Sequence, residues 1–209
     1  LDMCMCALAW FLTGFGFAFG ADNGNGFIGT TYFVGLSIGS STQALAAQIS
    51  GKGVTFAFWA FEFAFAATSA TIVSGAVAER ARFESYLVYS FFLSAFVYPV
   101  VVHWIWGGGF LTIGNPTGNS VLGLGAVDFA GDGPVHMIGG LAGAIASKIM
   151  GPRIGRFDPE TGVPRPIPGH SSALANLGVF ILWIGWLGFN PASVINVTGG
   201  FGSIAARAA

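Results

Sequence analysis

The sequence predicts an all-α fold, a polytopic bundle of transmembrane helices, and three observations point to it. Of 209 residues, 54% are hydrophobic and only 8% charged, against the roughly 25% charged residues of an ordinary soluble domain. So little charge cannot wet a globular surface of this size. Second, the chain breaks into apolar stretches of the length that crosses a hydrocarbon core, about 20 residues. They run over Leu1 to Gly20, Val54 to Val77, Tyr86 to Trp106, Phe129 to Met150 and Ala173 to Asn190. Third, the charges fall between them, in segments rich in Gly, Asn, Pro and Ser. An open sheet could not satisfy its edges in lipid, so the stretches are helices. A net charge of −1 leaves no basic face for a run of phosphates, which argues against a nucleic-acid partner. The high apolar content argues against disorder.

The first stretch carries Cys4 and Cys6, which are too few for a disulfide framework or a metal site. They point to different faces of a helix and read as small apolar fillers. In the following segment, Asp22-Asn23-Gly24-Asn25-Gly26 lacks the alternating ligands of a calcium loop. Gly24-Asn25-Gly26 follows no soluble strand and is no phosphate loop. The second stretch places Phe61 and Phe65, four apart, on one face. Glu62 between them is embedded and must be paired or protonated, because a lone buried carboxylate is costly. Small residues at four-residue spacing, Ala66, Ala70, Ser74 and Ala78 here and Gly139, Gly143 and Ser147 in the fourth stretch, let helix backbones approach closely in lipid. The third stretch ends in His103-Trp104-Ile105-Trp106-Gly107-Gly108-Gly109. His103, like His170, sits where water can satisfy it. Trp104 and Trp186 fit the ordinary interfacial aromatic belt.

The fourth stretch is the richest in candidates. Asp128 at its start caps the helix and complements its positive end, and the same charge favours an arriving cation. Asp132 follows one turn on. His136 lies about seven residues in, a depth of roughly 10 Å. Its imidazole can donate and accept hydrogen bonds while neutral and can take a proton near neutral pH; it serves either a pathway or as glue between helices. The fifth stretch ends in Gly185-Trp186-Leu187-Gly188-Phe189-Asn190, shortly before Ser193. The sequon Asn196-Val197-Thr198 lies close beyond. No arrangement resembles a catalytic triad or a metal cluster, so no enzyme activity, metal or cofactor is expected.

Orientation follows from Lys and Arg alone. With the Arg80 and Arg82 loop and the 148–168 segment placed in the cytoplasm, that side holds six of the eight, leaving Lys52 and Arg207 outside. The first, third and fifth stretches then run outward. Trp106, Ser193 and Asp128 reach the outer surface, with Phe61 and Phe65 below them and His136 at similar depth. Aromatic faces and a hydroxyl at such a mouth can hold a small cation by cation–π attraction and a hydrogen bond. The chain opens without Met inside an apolar stretch and closes on the start of another, so the sequence is expected to be the middle of a larger protein, truncated at both ends. It reads as one transmembrane channel or transporter domain over residues 1–209.

Phe61-Glu62-Phe63-Ala64-Phe65, Gly75-Ala76-Val77-Ala78-Glu79-Arg80, His103-Trp104-Ile105-Trp106, Asp128-Phe129-Ala130-Gly131 with Val135-His136, and Gly185-Trp186-Leu187-Gly188-Phe189-Asn190 follow one another along the chain. Together these motifs resemble the ammonium transporter family (Amt/Mep/Rh). The run Gly151-Pro152-Arg153-Ile154-Gly155-Arg156-Phe157-Asp158 and Gly169-His170-Ser171 are similar to the plant and algal branch. The resemblance implies that the five stretches are the second to sixth of roughly eleven helices, in a protomer of a homotrimer in the plasma membrane. It implies that Trp106, Phe65 and Ser193 form an external ammonium site and that Asp128 shapes it. Phe61 and Phe65 would be the stacked gate, His136 the first of two pore histidines, and Trp186 a second pore-lining aromatic. The sequence departs from the family where Asp132-Gly133-Pro134 replaces small residues and Val, and where Glu62 replaces a common Gln.

Physical logic accompanies the resemblance. A bare ammonium ion cannot cross a long apolar constriction, since the Born cost of an isolated ion is on the order of tens of kcal/mol. Neutral ammonia can. Desolvation below a cation-binding mouth promotes proton loss, and potassium has no proton to lose. The expected function is ammonium transport with net charge uptake. Two alternatives belong to other classes: a neutral ammonia or CO2 gas channel of the Rh type, against which Trp106 argues, and an ammonium sensor of the same fold.

Overall fold

The computed structural model describes residues 1–24, 26–36, 38, 56–114, 124–195 and 200–209. Asn25, Lys52, Val54 and the sequon of Asn196, Val197 and Thr198 lie outside the described residues. The regular structure described is helical, with two isolated backbone bridges joining Thr112 to Ala126 and Phe157 to Pro164. The chain divides into two compact units, Leu1–Gly151 and Pro152–Ala209.

The first unit is built on α1 (Asp2–Phe19), α2 (Phe56–Val77), α3 (Phe83–Ile105) and α4 over 132–150. The first three have 18, 22 and 23 residues. At about 1.5 Å per residue each matches a hydrocarbon core of roughly 30 Å. These three, and α5 of the second unit, are the four helices among the described residues that are long and apolar enough to cross a membrane. The fourth stretch of the sequence differs: it is helical only from Asp132, with Phe129, Ala130 and Gly131 outside the helix. Asp132, Gly133, Pro134, His136 and Lys148 dilute its apolar content.

Besides the start of α4, π turns widen α1 over Trp10–Gly14 and α3 over Leu93–Val97, and these two turns pack against each other. Pro99 supplies the reason in α3. It has no N–H to offer the carbonyl of Ala95 four residues back, so that carbonyl is left open. The Thr13 hydroxyl of α1 donates to it at 3.0 Å. Gly14 is required beside it, because a Cβ there would stand 2.5 Å from the Ser94 carbonyl oxygen. At the beginning of α1, Asp2 is buried and accepts from Tyr86 at 2.6 Å, Ser90 at 2.8 Å and Thr71 at 3.1 Å. One carboxylate thus ties α1, α2 and α3 together. Cys6 is more than a filler: it is buried and its sulfur accepts from the Ser94 hydroxyl at 2.8 Å, while Cys4 is exposed.

α4 packs on α2 through the small residues expected on its side. A Cβ on Gly139 would lie 2.7 Å from the Ser69 carbonyl oxygen, and one on Gly143 would lie 3.1 Å from the Ala76 Cβ. The Ser147 hydroxyl donates to the Ala76 carbonyl at 3.2 Å. On α2, however, the receiving face is Ser69, Ile72, Val73 and Ala76; Ala66 and Ala70 are buried but do not meet these glycines. Arg80, just past α2, donates to the Gly151 carbonyl at 2.6 Å and so closes the same end of the bundle.

At the opposite end, the segment after α1 folds back. Gly29 donates to the Phe17 carbonyl at 2.9 Å, Phe110 to Gly26 at 2.9 Å, and the Trp104 indole to Phe27 at 3.0 Å. This cover changes the position of His103. It is not at a wet end but fully buried, with Nδ1 2.9 Å from the Ala18 carbonyl and Nε2 3.7 Å from the Asp22 carboxylate.

The second unit opens on an irregular segment. Asp158 accepts from the backbone of Glu160 and Thr161 and pairs with Arg165. The backbone N–H groups of Thr161 and Glu160 and the Arg165 guanidinium hold its carboxyl below the ordinary carboxylate range. α5 (Ser172–Ala192) starts at Ser171, whose hydroxyl accepts from Leu174 N–H at 3.2 Å, an N-cap of the usual kind. α6 (Phe201–Ala208) follows.

Candidate functional site

Phe61, Phe65, Trp106, Asp128 and His136 all belong to the first unit, and contacts join them in a row. The spacing of four puts the rings of Phe61 and Phe65 on one face of α2, where their centroids are 4.7 Å apart and tilted by 58°. Phe65 is buried and meets Trp106 from the end of α3, with centroids 6.0 Å apart and planes at 87°. This is the edge-to-face arrangement that aromatic quadrupoles prefer. Trp106 is the residue at which α3 stops, so its indole is set by a helix end and by the glycines that follow.

The Trp106 indole N–H donates to the backbone carbonyl of Asp128 at 2.8 Å. The Asp128 side chain then organises the entry to α4. One oxygen accepts from Gly131 at 2.6 Å and Asp132 at 3.2 Å, and the other from Gly133 at 2.7 Å. An ionised carboxylate at the positive end of a helix, holding three backbone N–H groups, is a charge-assisted cap. Gly131 is required by its backbone, at φ +100°. A Cβ there would also stand 2.6 Å from Val135 and 3.2 Å from the Trp106 ring.

The first turn of α4 is a π turn over Asp132–Met137. Pro134 is tolerated there because early helical N–H groups have no partner inside the helix. Both Val135 and His136 donate their backbone N–H to the Gly131 carbonyl. The His136 ring places Nδ1 3.2 Å from that same carbonyl. A carbonyl only accepts, so in this bond Nδ1 carries the hydrogen, and neutral imidazole then presents Nε2 as an acceptor. His136 stands four residues into the helix rather than seven, about 6 Å from its start.

Trp186 and Ser193 belong to the second unit. Trp186 lies in the second half of α5. Ser193 closes that helix: its N–H donates to the Asn190 carbonyl at 3.1 Å and its hydroxyl to the Phe189 carbonyl at 2.9 Å. Sequence reasoning passed over Gly131, whose carbonyl receives both the backbone and the ring of His136. The Asp-x-x-Gly spacing from Asp128 was the available signal. Chemically, the first unit offers aromatic faces, a carboxylate-organised turn, a pair of packed phenylalanine rings and an imidazole acceptor. Among the described residues no group of three or more His, Cys, Asp or Glu could hold a metal ion.

Comparison with known proteins bears on this geometry. The model of the Ammonium Transporter Family matches residues 1–208. Ammonium transporter 1 member 2 of Oryza sativa subsp. japonica is 46% identical over 203 residues, which is 97% of this chain and 38% of that protein. Among solved structures, one described as Sensor Amt Protein superposes with a TM-score of 0.81 at 34% identity, covering 98% of this chain and 47% of its own. The crystal structure of Candida albicans Mep2 gives 0.69 at 34% identity, covering 92% and 39%. The chain spans less than half the length of these relatives.

Proposed function

The chain belongs to the ammonium transporter family, and on that premise we propose that it forms part of a pathway for ammonium uptake across the plasma membrane, in a homotrimeric protein. Ammonium is held at Trp106 and Phe65, at a mouth shaped by Asp128. It sheds its proton there, and ammonia passes Phe61 and Phe65 and then moves along His136. Selectivity against potassium follows, because an ion without a proton to lose must cross the apolar constriction charged. Transport carries net charge inward.

The observation that supports this reading is the unbroken series of ring contacts from Phe61 through Phe65 to Trp106, joined to the Asp128 turn by the indole N–H. The series offers π faces to a cation at one end and only hydrocarbon at the other. The test is Trp106→Leu in the full-length protein, read by saturation kinetics of methylammonium uptake. Removing a cation–π contact of about 0.5 to 2 kcal/mol should raise the half-saturation concentration roughly 2- to 30-fold. Unchanged half-saturation at normal surface abundance would return Trp106 to the interfacial belt.

A further inference from the structure

Buried polar side chains are not scattered through the first unit. Among the described residues, Asp2, Glu62, Ser69, Ser90, Ser94 and His103 are the buried polar or charged ones, and all lie on α1, α2 or α3. On α3 the hydroxyls of Tyr86, Ser90, Ser94 and Tyr98 recur every fourth residue and so share one face. From Tyr86 to Tyr98 they rise about 18 Å. The lower members have partners: Tyr86 and Ser90 donate to Asp2, and Ser94 to Cys6. The uppermost, Tyr98, has none. The Tyr98 hydroxyl is buried without a hydrogen-bond partner among the described residues, as are Glu62 Oε2 and Ser69 Oγ. The Tyr98 ring lies 6.0 Å from that of Trp10 on α1, whose indole N–H donates at 3.2 Å to the Trp59 carbonyl of α2, three residues before Glu62.

Hydroxyls alone would read as glue between helices, and the Asp2 cluster does act so. Unpartnered oxygens on facing helices, one of them a carboxyl, do not glue anything. Orphaned polar atoms of this kind are what bridging water satisfies, and chains of ionisable groups inside a membrane protein mark proton relays.

We propose that the seam between α1, α2 and α3 conducts protons, from Glu62 and Tyr98 behind the aromatic stack to Asp2 at the Arg80 end of the bundle. A proton binds a Glu62 carboxyl oxygen, passes to water held against the Tyr98 hydroxyl, and moves along the file. Each hydroxyl takes one proton as it gives one up, so none changes charge overall. The proton rests on the Asp2 carboxylate and leaves from there. The proposal draws on the ammonium reading only for the source of the proton, and it separates the proton's route from that of ammonia.

Two measurements on the full-length protein in proteoliposomes test it. Charge movement triggered by methylammonium, divided by radiolabelled methylammonium taken up, should fall about tenfold in Glu62→Gln and in Tyr98→Phe, with uptake itself kept within twofold. Tyr98→Phe removes a single oxygen and guards against misfolding of the other variant. An unchanged ratio in both variants overturns the proposal. The second measurement does not need transport: infrared difference spectra should show a carboxylic acid band that exchanges in D2O within seconds and is absent in Glu62→Gln. A band that does not exchange, or none, overturns the proposal. Exchange in a protein that takes up no methylammonium would instead count against the ammonium reading while leaving the proton file standing.

Discussion

Asp128 illustrates how one residue can fix both a helix entry and an aromatic ring. Its two oxygens accept from Gly131, Asp132 and Gly133, and its carbonyl holds the Trp106 indole, so the turn and the aromatic ring are fixed together. Asp128→Ala leaves three amides facing no acceptor. Each unsatisfied group costs about 1 to 3 kcal/mol. Asp128→Asn keeps one oxygen for Gly131 but turns an NH2 group onto an amide that needs an acceptor. Thermal unfolding of the purified full-length protein should therefore rank wild type above Asn and Asn above Ala. An Asn variant as stable as wild type would show that the negative charge is dispensable to the turn, and that only the shape of the side chain matters.

At the scale of elements, helix contacts are decided by whether a backbone can approach. Gly139 faces α2 so closely that a Cβ would lie 2.7 Å from the Ser69 carbonyl oxygen, whereas nothing lies within 4 Å of one on neighbouring Gly140. Gly139→Ala should destabilise the protein by roughly 1 to 3 kcal/mol through overpacking. Gly140→Ala should be neutral or gain up to about 1 kcal/mol from helix propensity. Equal unfolding midpoints for the two variants would mean that α4 does not seat on α2 as described. The apolar runs made the helices legible, and the spacing of Phe61 and Phe65 foretold their ring contact, because both depend on local periodicity. The Gly139, Gly143 and Ser147 stripe was legible for the same reason. Its partner face on α2 was not, since Ala66 and Ala70 are just as small as Ser69 and Ala76, and only the rotation of α2 in the bundle chooses between them. The π turns escaped notice as well, although Pro99 in the third stretch gave half of the reason. The other half is the Thr13 hydroxyl, 82 residues from the Ala95 carbonyl it meets. His103 was misjudged because its burial depends on a segment that folds back from the end of α1.

At the scale of the whole first unit, the Lys and Arg among the described residues gather at one end of the bundle. That end holds Arg80 and Arg82 between α2 and α3 and Lys148 in the last turn of α4, with Arg80 bonded to the carbonyl of Gly151. The other end carries Asp22, Asp128 and Asp132, together with the aromatic row that begins at Trp106. Lys and Arg near helix ends hold a membrane protein with that face in the cytoplasm, while Asp and Glu contribute little. The Trp106 end is therefore expected to face outside, where the ammonium-binding mouth proposed above would open. Orientation and function stand or fall together here, because a cation site opening inward could not serve uptake. Single cysteines test it in the full-length protein with its other reactive cysteines replaced, Cys4 among them since it is exposed. An impermeant thiol reagent applied to intact cells should label Asn23→Cys, which is exposed beyond α1, and should reach Arg82→Cys only after permeabilisation. Labelling of residue 82 from outside would invert the bundle. The Trp106 row would then lie at an exit, and the proton file that ends on Asp2 would discharge to the exterior.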